Sequence, residues 1–163
     1  MQIGGFLNWD VQKLSEAMHL SKDDVVDYFK DGRRMSFILE RRICKEVFGG
    51  SMAKSEGSSF DIFDKNKDKW EVRCVTDQGT YFCPSSMIGA GRYFDEEGFL
   101  NKLKEIKGYI LADITKFPLV EYWSTTSDEI MDLYVNKRIH HTTKVGRQRV
   151  IDLTKPSNQL TLF

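Results

Sequence analysis

Apolar side chains return at helical spacing in the first part of the chain. Val11, Leu14, Ala17 and Met18 share one face, then Val25, Val26 and Phe29, then Met35, Ile38, Leu39, Ile43, Val47 and Phe48. This spacing predicts helices from Val11, over about 22–30 and over 33–48. Ser21, with Asp23 and Asp24 after it, is a good cap for the second, and Asp31-Gly32 and Gly49-Gly50 end the second and third. Residues 1–10 carry too little pattern to assign. After a polar loop at 51–59 the pattern becomes strand-like at 60–63, 70–76 and 80–83, with Asp77-Gln78-Gly79 as a hairpin turn between the last two. A small-residue loop at 84–92 leads to a helix over about 95–107, acidic at its start and apolar at Phe99, Leu100, Leu103 and Ile106. Residues 109–115 are apolar almost throughout, as in a strand buried on both faces. A further strand at 119–124 and a helix capped by Ser127 follow. Residues 137–149 read as a basic loop, and 150–163 as a strand or strap and then a tail.

The resulting order, αβββαββα, predicts an α/β fold with a central mixed sheet flanked by helices. The length suits one domain: a small helical part at 1–32, a core at 33–135 and a basic segment at 136–163. Lys and Arg together equal Asp and Glu in number, so any polyanion must be met by a local patch rather than by the overall charge. No apolar run approaches the ~20 residues of a membrane span, and no basic start followed by a long apolar stretch marks a signal peptide. Cys44, Cys74 and Cys83, odd in number and without a Cys-x-x-Cys, read as free thiols of a cytoplasmic protein.

The candidate chemistry lies at 60–76. Asp61 and Glu71 stand at the two ends of a lysine-studded hairpin, where two carboxylates near cations can hold Mg²⁺ against a phosphate. Trp70 and Val72 flank Glu71 in strand alternation, which puts Glu71 and Arg73 on one face. Two other readings carry less. The first two helices have the outline of a helix-turn-helix, but Asp23, Asp24 and Asp27 on the second would repel DNA phosphates and favour a hairpin covering the core. Gly89-Ala90-Gly91-Arg92 is only a fragment of a glycine-rich nucleotide motif.

Asp61 followed by Glu71-Val72-Arg73, after a helix bearing Glu40 and before the helix from Asp95 and the strand from Tyr109, resembles the PD-(D/E)XK nucleases, the family of most type II restriction endonucleases. The resemblance covers about residues 33–135. It implies an αβββαβ restriction-endonuclease-like core and a sequence-specific DNA endonuclease that yields 5′-phosphate ends. It further implies Mg²⁺ (or Mn²⁺) held by Asp61, Glu71 and the Val72 carbonyl, with Glu40 reaching the metal through water. The chain departs from the family at Arg73, which occupies the lysine position. Arginine keeps its proton and cannot act as a base, but it can offset phosphorane charge, with Lys69 or Lys54 as substitutes.

Ser85, Ser86 and Arg92 are of the kind that hold phosphates, and Arg33 and Arg34 add charge at the start of the long helix. Lys144, Arg147 and Arg149 around Gln148 suit backbone or base-edge contacts in double-stranded DNA, or form an ordinary solvated loop. His140-His141 belongs to the same basic stretch. A chain of this length would cut both strands as a homodimer or beside a second nuclease or recognition subunit. The alternative is a DNA-binding or adaptor protein with a degenerate nuclease fold. In that case Asp61 and Glu71 are a solvated hairpin with an Arg73 ion pair, and Glu40 is a surface charge.

Overall fold

A six-stranded mixed sheet forms the centre of the computed structural model, which describes residues 2–55, 58–140 and 144–156. In chain order the elements are β1 (Gly4–Asn8), α1 (Val11–Met18), α2 (Lys22–Phe29), α3 (Gly32–Arg42), β2 (Ser51–Met52), β3 (Ile62–Phe63), β4 (Lys69–Val75), α4 (Glu96–Glu105), β5 (Gly108–Asp113), β6 (Leu119–Thr126), α5 (Ser127–Val135) and α6 (Arg147–Thr154). The sheet runs β1-β6-β5-β4-β3-β2, with β4 and β5 parallel and every other pair antiparallel. Helix α4 makes the crossover that the parallel pair requires.

The helical spacing translates directly. Asp10, Ser21 and Asp31 accept backbone N–H groups at the starts of α1, α2 and α3. Helix α3 continues into a wider π-helical turn, Ile43–Phe48, that ends on left-handed Gly49 at φ 54°. Val25 and Phe29 of α2 are buried, with Phe29 on Phe117 at 5.1 Å between ring centroids. The N-terminal helices thus cover one face of the sheet, as the core-covering reading expected. Strand β5 is buried at all six positions: Ile110 and Ala112 pack toward α1–α3, Tyr109 and Leu111 toward α4 and α5.

Several elements differ from the sequence reading. Residues 1–10 contribute edge strand β1. The expected strand at 80–83 is not one; Thr80 forms only a two-bond bridge with Val145 (3.0 and 2.9 Å), while Phe82 and Cys83 turn into the core. The turn before it does form, closed by Thr76 and Gly79. Its place in the sheet is taken by β2, within the expected polar loop, so the antiparallel trio is β2-β3-β4 and the αβββαβ order is kept by different strands. Expected strand 60–63 shortens to β3. The cap of α5 is Thr126, in a reciprocal capping box with Glu129, because the Ser127 hydroxyl donates instead to the Ile106 carbonyl at 2.8 Å. Part of the expected basic loop and the strand or strap after it is helix α6, which buries Val150 and anchors Thr154 on the Trp123 indole at 2.9 Å. Residues 157–163 of that expected strap lie outside the described residues.

Candidate active site

Strand β3 stops after pairing Ile62 with Trp70, and this early end shapes the site. Just outside it, the Asp61 N–H donates to the Trp70 carbonyl at 3.0 Å, and the Asp61 carboxylate accepts from the Val72 N–H at 2.7 Å. A residue's N–H and C=O point the same way in a strand. The Val72 carbonyl therefore also faces the edge of β4 that β3 leaves uncovered, beside Asp61.

Glu71 and Arg73 point to the opposite face from Trp70 and Val72, toward α4. Glu71 is 5% exposed, with Arg73 Nη2 at 2.7 Å from one oxygen and Lys102 Nζ at 2.8 Å from the other. Arg73 Nε is buried without a hydrogen-bond partner in the structure. Lys102 is 8% exposed, an unusual place for a lysine unless it is paired. Glu40 comes from α3, on the other side of the sheet, so the carboxylates approach from both layers.

Burial dominates the electrostatics. Burial, then the charge of Asp61 and more weakly that of Glu71, raise Glu40 to about 7 against the pull of Arg41 and Arg73. Burial and Glu71 raise Asp61 to about 6, although the Val72 amide, Arg73 and Lys102 pull it down. Burial also lowers the Lys102 ammonium, opposed by Glu71. For Arg73 burial works against the charge, but the attraction of Glu71, Tyr109 and Asp61 outweighs it and raises the group further. Arg73 therefore stays a fixed cation, while Lys102 releases its proton more readily than a free lysine.

Hard oxygen donors that resist ionisation suit a small divalent cation, which would relieve their mutual repulsion. Asp61 and the Val72 carbonyl fit that role directly. Glu71 fits by sharing an oxygen with Arg73 or Lys102, since each carboxylate oxygen accepts more than once. Among the described residues no three His, Cys, Asp or Glu side chains form a ready cation cluster. The Val72 carbonyl and water would complete the set.

The structure thus brings Glu40, Asp61, Glu71 and Arg73 together. Lys102 was missed by the sequence reading, although a signal existed. It lies three residues after Phe99 and four before Ile106, on the apolar stripe of its helix, where a lysine needs a reason to be.

The expected DNA contacts scatter. Exposed Ser86 lies in a short turn over 85–87, and Arg92 braces the same loop by donating to the Ser85 and Ile88 carbonyls at 2.5 and 3.3 Å. Arg33 is exposed beside Asp31, and Arg34 lies over the Tyr28 ring at 4.8 Å. Arg147 pairs with buried Asp113 at 2.5 Å, Arg149 donates to the Arg138 carbonyl at 2.6 and 3.1 Å, and Lys144 to Gln78 at 3.0 Å. The basic segment thus has an internal structural use. Lys69 pairs with Glu105 at 2.5 Å, while Lys54 lines the cleft next to Asp61. His140 is exposed; His141 lies outside the described residues. Compared with protein-family models, curated proteins and solved structures, the chain finds no match. Among the described residues no helix is long and apolar enough to cross a membrane.

Proposed function

We propose that the chain is a Mg²⁺-dependent DNA endonuclease of the restriction-endonuclease type, acting as a homodimer or beside a second subunit. The observation that carries this reading is Asp61 on the uncovered edge of β4 beside Val72, with Glu40 in the same cleft and the charge of Glu71 felt by both, Glu40 and Asp61 being raised to about 7 and about 6. The αβββαβ order around them, α3-β2-β3-β4-α4-β5, is consistent with it.

Asp61 and the Val72 carbonyl would hold the metal, with Glu71 sharing an oxygen and Glu40 behind a water. When bound, Mg²⁺ would supply a Lewis acid for the phosphate and make water easier to deprotonate. Arg73 offsets the negative charge that grows on the phosphoryl oxygens. Lys102, held on Glu71 with its ammonium disfavoured by burial, is our candidate for the part that an arginine on the strand cannot take, accepting a proton from the attacking water. The water oxygen bonds to phosphorus, the bond from phosphorus to the 3′ oxygen breaks, and that oxygen takes up a proton from solvent water. The products are a 5′-phosphate and a 3′-hydroxyl.

A second reading is favoured by the saturation of Glu71 by Arg73 and Lys102. Ion pairs can hold such a cluster without metal, as in a DNA-binding protein whose nuclease centre has degenerated. Incubating plasmid DNA with the protein and Mg²⁺ or Mn²⁺, alone and as Asp61→Ala, separates the two. The expected result is discrete fragments that Asp61→Ala abolishes. Cutting that survives Asp61→Ala removes the proposed site, and binding without cutting supports the adaptor.

A further inference from the structure

A cleft of about 400 Å³ opens on Glu40 and Asp61 and runs between α3 and the segment after β2. Phe37, Arg41, Lys54 and Phe60 line it. Phe37 is anomalous on its helix. Met35, Leu39 and Ile43 are wholly buried, yet its ring is 53% exposed. The Arg41 guanidinium lies 3.3 Å from the centre of that ring, and Arg41 Nη1 donates to the Phe37 carbonyl at 3.0 Å. Ring and guanidinium are thus stacked on one another at the mouth of the cleft. Lys54 adds a cation to the same cleft.

A flat aromatic and guanidinium surface beside a cation is what an unstacked nucleobase and its phosphate recognise, since every base offers a π face. The volume lies in the range of small-ligand pockets, large enough for one nucleotide. In an intact duplex both faces of each base are already stacked, so paired DNA has no face to offer. A base in this cleft would bring its own phosphate toward Asp61.

We propose that the cleft binds an unpaired nucleotide next to the phosphate to be cut, so that DNA with a single-stranded element binds more tightly than the same fully paired duplex. The proposal rests on the nuclease reading of Glu40, Asp61 and Glu71, and binding tests it separately from cleavage. Fluorescence anisotropy in Ca²⁺ would compare a blunt duplex, the same duplex with an oligothymidine tail, and the free oligothymidine strand. The tailed duplex is expected to bind on the order of ten-fold tighter than the blunt one, the usual worth of stacking one base. Phe37→Ala should reduce tailed binding to the blunt level, and Phe37→Trp should restore it. Unchanged melting temperatures would show that both variants keep the fold. Tight binding of the free strand that also depends on Phe37 supports the cleft and marks the tail itself as the ligand. Equal affinity for tailed and blunt DNA, or tailed binding indifferent to Phe37→Ala, overturns the proposal. Phe37-dependent binding without Asp61-dependent cutting would uphold the cleft while removing the nuclease reading.

Discussion

Two carboxylate sites in this protein, one buried at Asp113 and one half-buried at Glu40 and Asp61, have opposite characters. Asp113, at the end of β5, is held by Arg147 through two bonds, by the Thr115 hydroxyl at 2.7 Å and by the Thr115 amide at 3.0 Å. Burial works against its charge, but these bonds outweigh burial and keep it below the usual carboxylate range. At the uncovered edge of β4, Glu71 takes both Arg73 and Lys102, while Glu40 and Asp61 have no ion pair of their own among the described residues and are pushed up, chiefly by burial. A saturated pair needs nothing more and serves the fold. A cluster left short of positive charge has affinity to offer a cation or a substrate, which is why perturbed groups in a cleft are functional candidates.

The largest effect expected from breaking this contrast is at Lys102. Lys102→Met should lower Mg²⁺-dependent cleavage by about 10²-fold, the usual contribution of a positioned proton acceptor. Lys102→Arg restores the charge but not the ionisation. It should leave cleavage low and flatten its rise with pH, measured as rate against pH on one DNA substrate. Recovery of full activity by Lys102→Arg would make Lys102 a charge holder for Glu71.

Next in size is Arg147→Ala, which strands the Asp113 carboxylate. Unfolding in urea should show a loss of about 2–3 kcal/mol, below the full cost of a wholly buried pair because Arg147 is 29% exposed. Cleavage well below the melting temperature should be unaffected. A fall in DNA affinity with unchanged stability would instead return Arg147 to the DNA interface.

The smallest effect sharpens the contrast through pH. The values of Asp61 and Glu40 in the fold, about 6 and about 7, lie above the ordinary 3.8 and 4.5. Well below pH 3.8 both sites are protonated in the folded and unfolded chain, and their contribution is complete. It is lost as pH rises through 6 and 7, because the fold must then carry both charges. Without metal, the melting temperature of the wild type should fall by about 2–4 °C more than that of an Asp61→Asn, Glu40→Gln variant between about pH 6.5 and about pH 8. Mg²⁺ should reduce that difference. Identical pH profiles would show that the two carboxylates are not under strain.

Much of this was legible in the chain itself. The helical stripes of α1, α2 and α3, their caps, the unbroken apolar run of β5 and the pairing of Glu71 with Arg73 on one strand face are local properties. They follow from a few adjacent residues and the 3.6- or two-residue period. The end of the chain was less legible, because an eight-residue helix with a basic first turn, α6, carries little periodic signal. The lysine on the apolar stripe of α4 was visible too, but its meaning was not. A lysine there becomes necessary only when a carboxylate from another element faces it.

Sequence alone therefore determined the α/β class, the faces that seek the core and the candidate acids Asp61 and Glu71. Tertiary structure alone decided that β2 rather than 80–83 completes the antiparallel trio, since strand pairing is set by partners distant along the chain. It also decided that Arg147 serves Asp113, that Lys102 closes over Glu71, and that Phe37 stays exposed beside the acids. Each depends on which long-range neighbour fills the space around a side chain, and no local period records that.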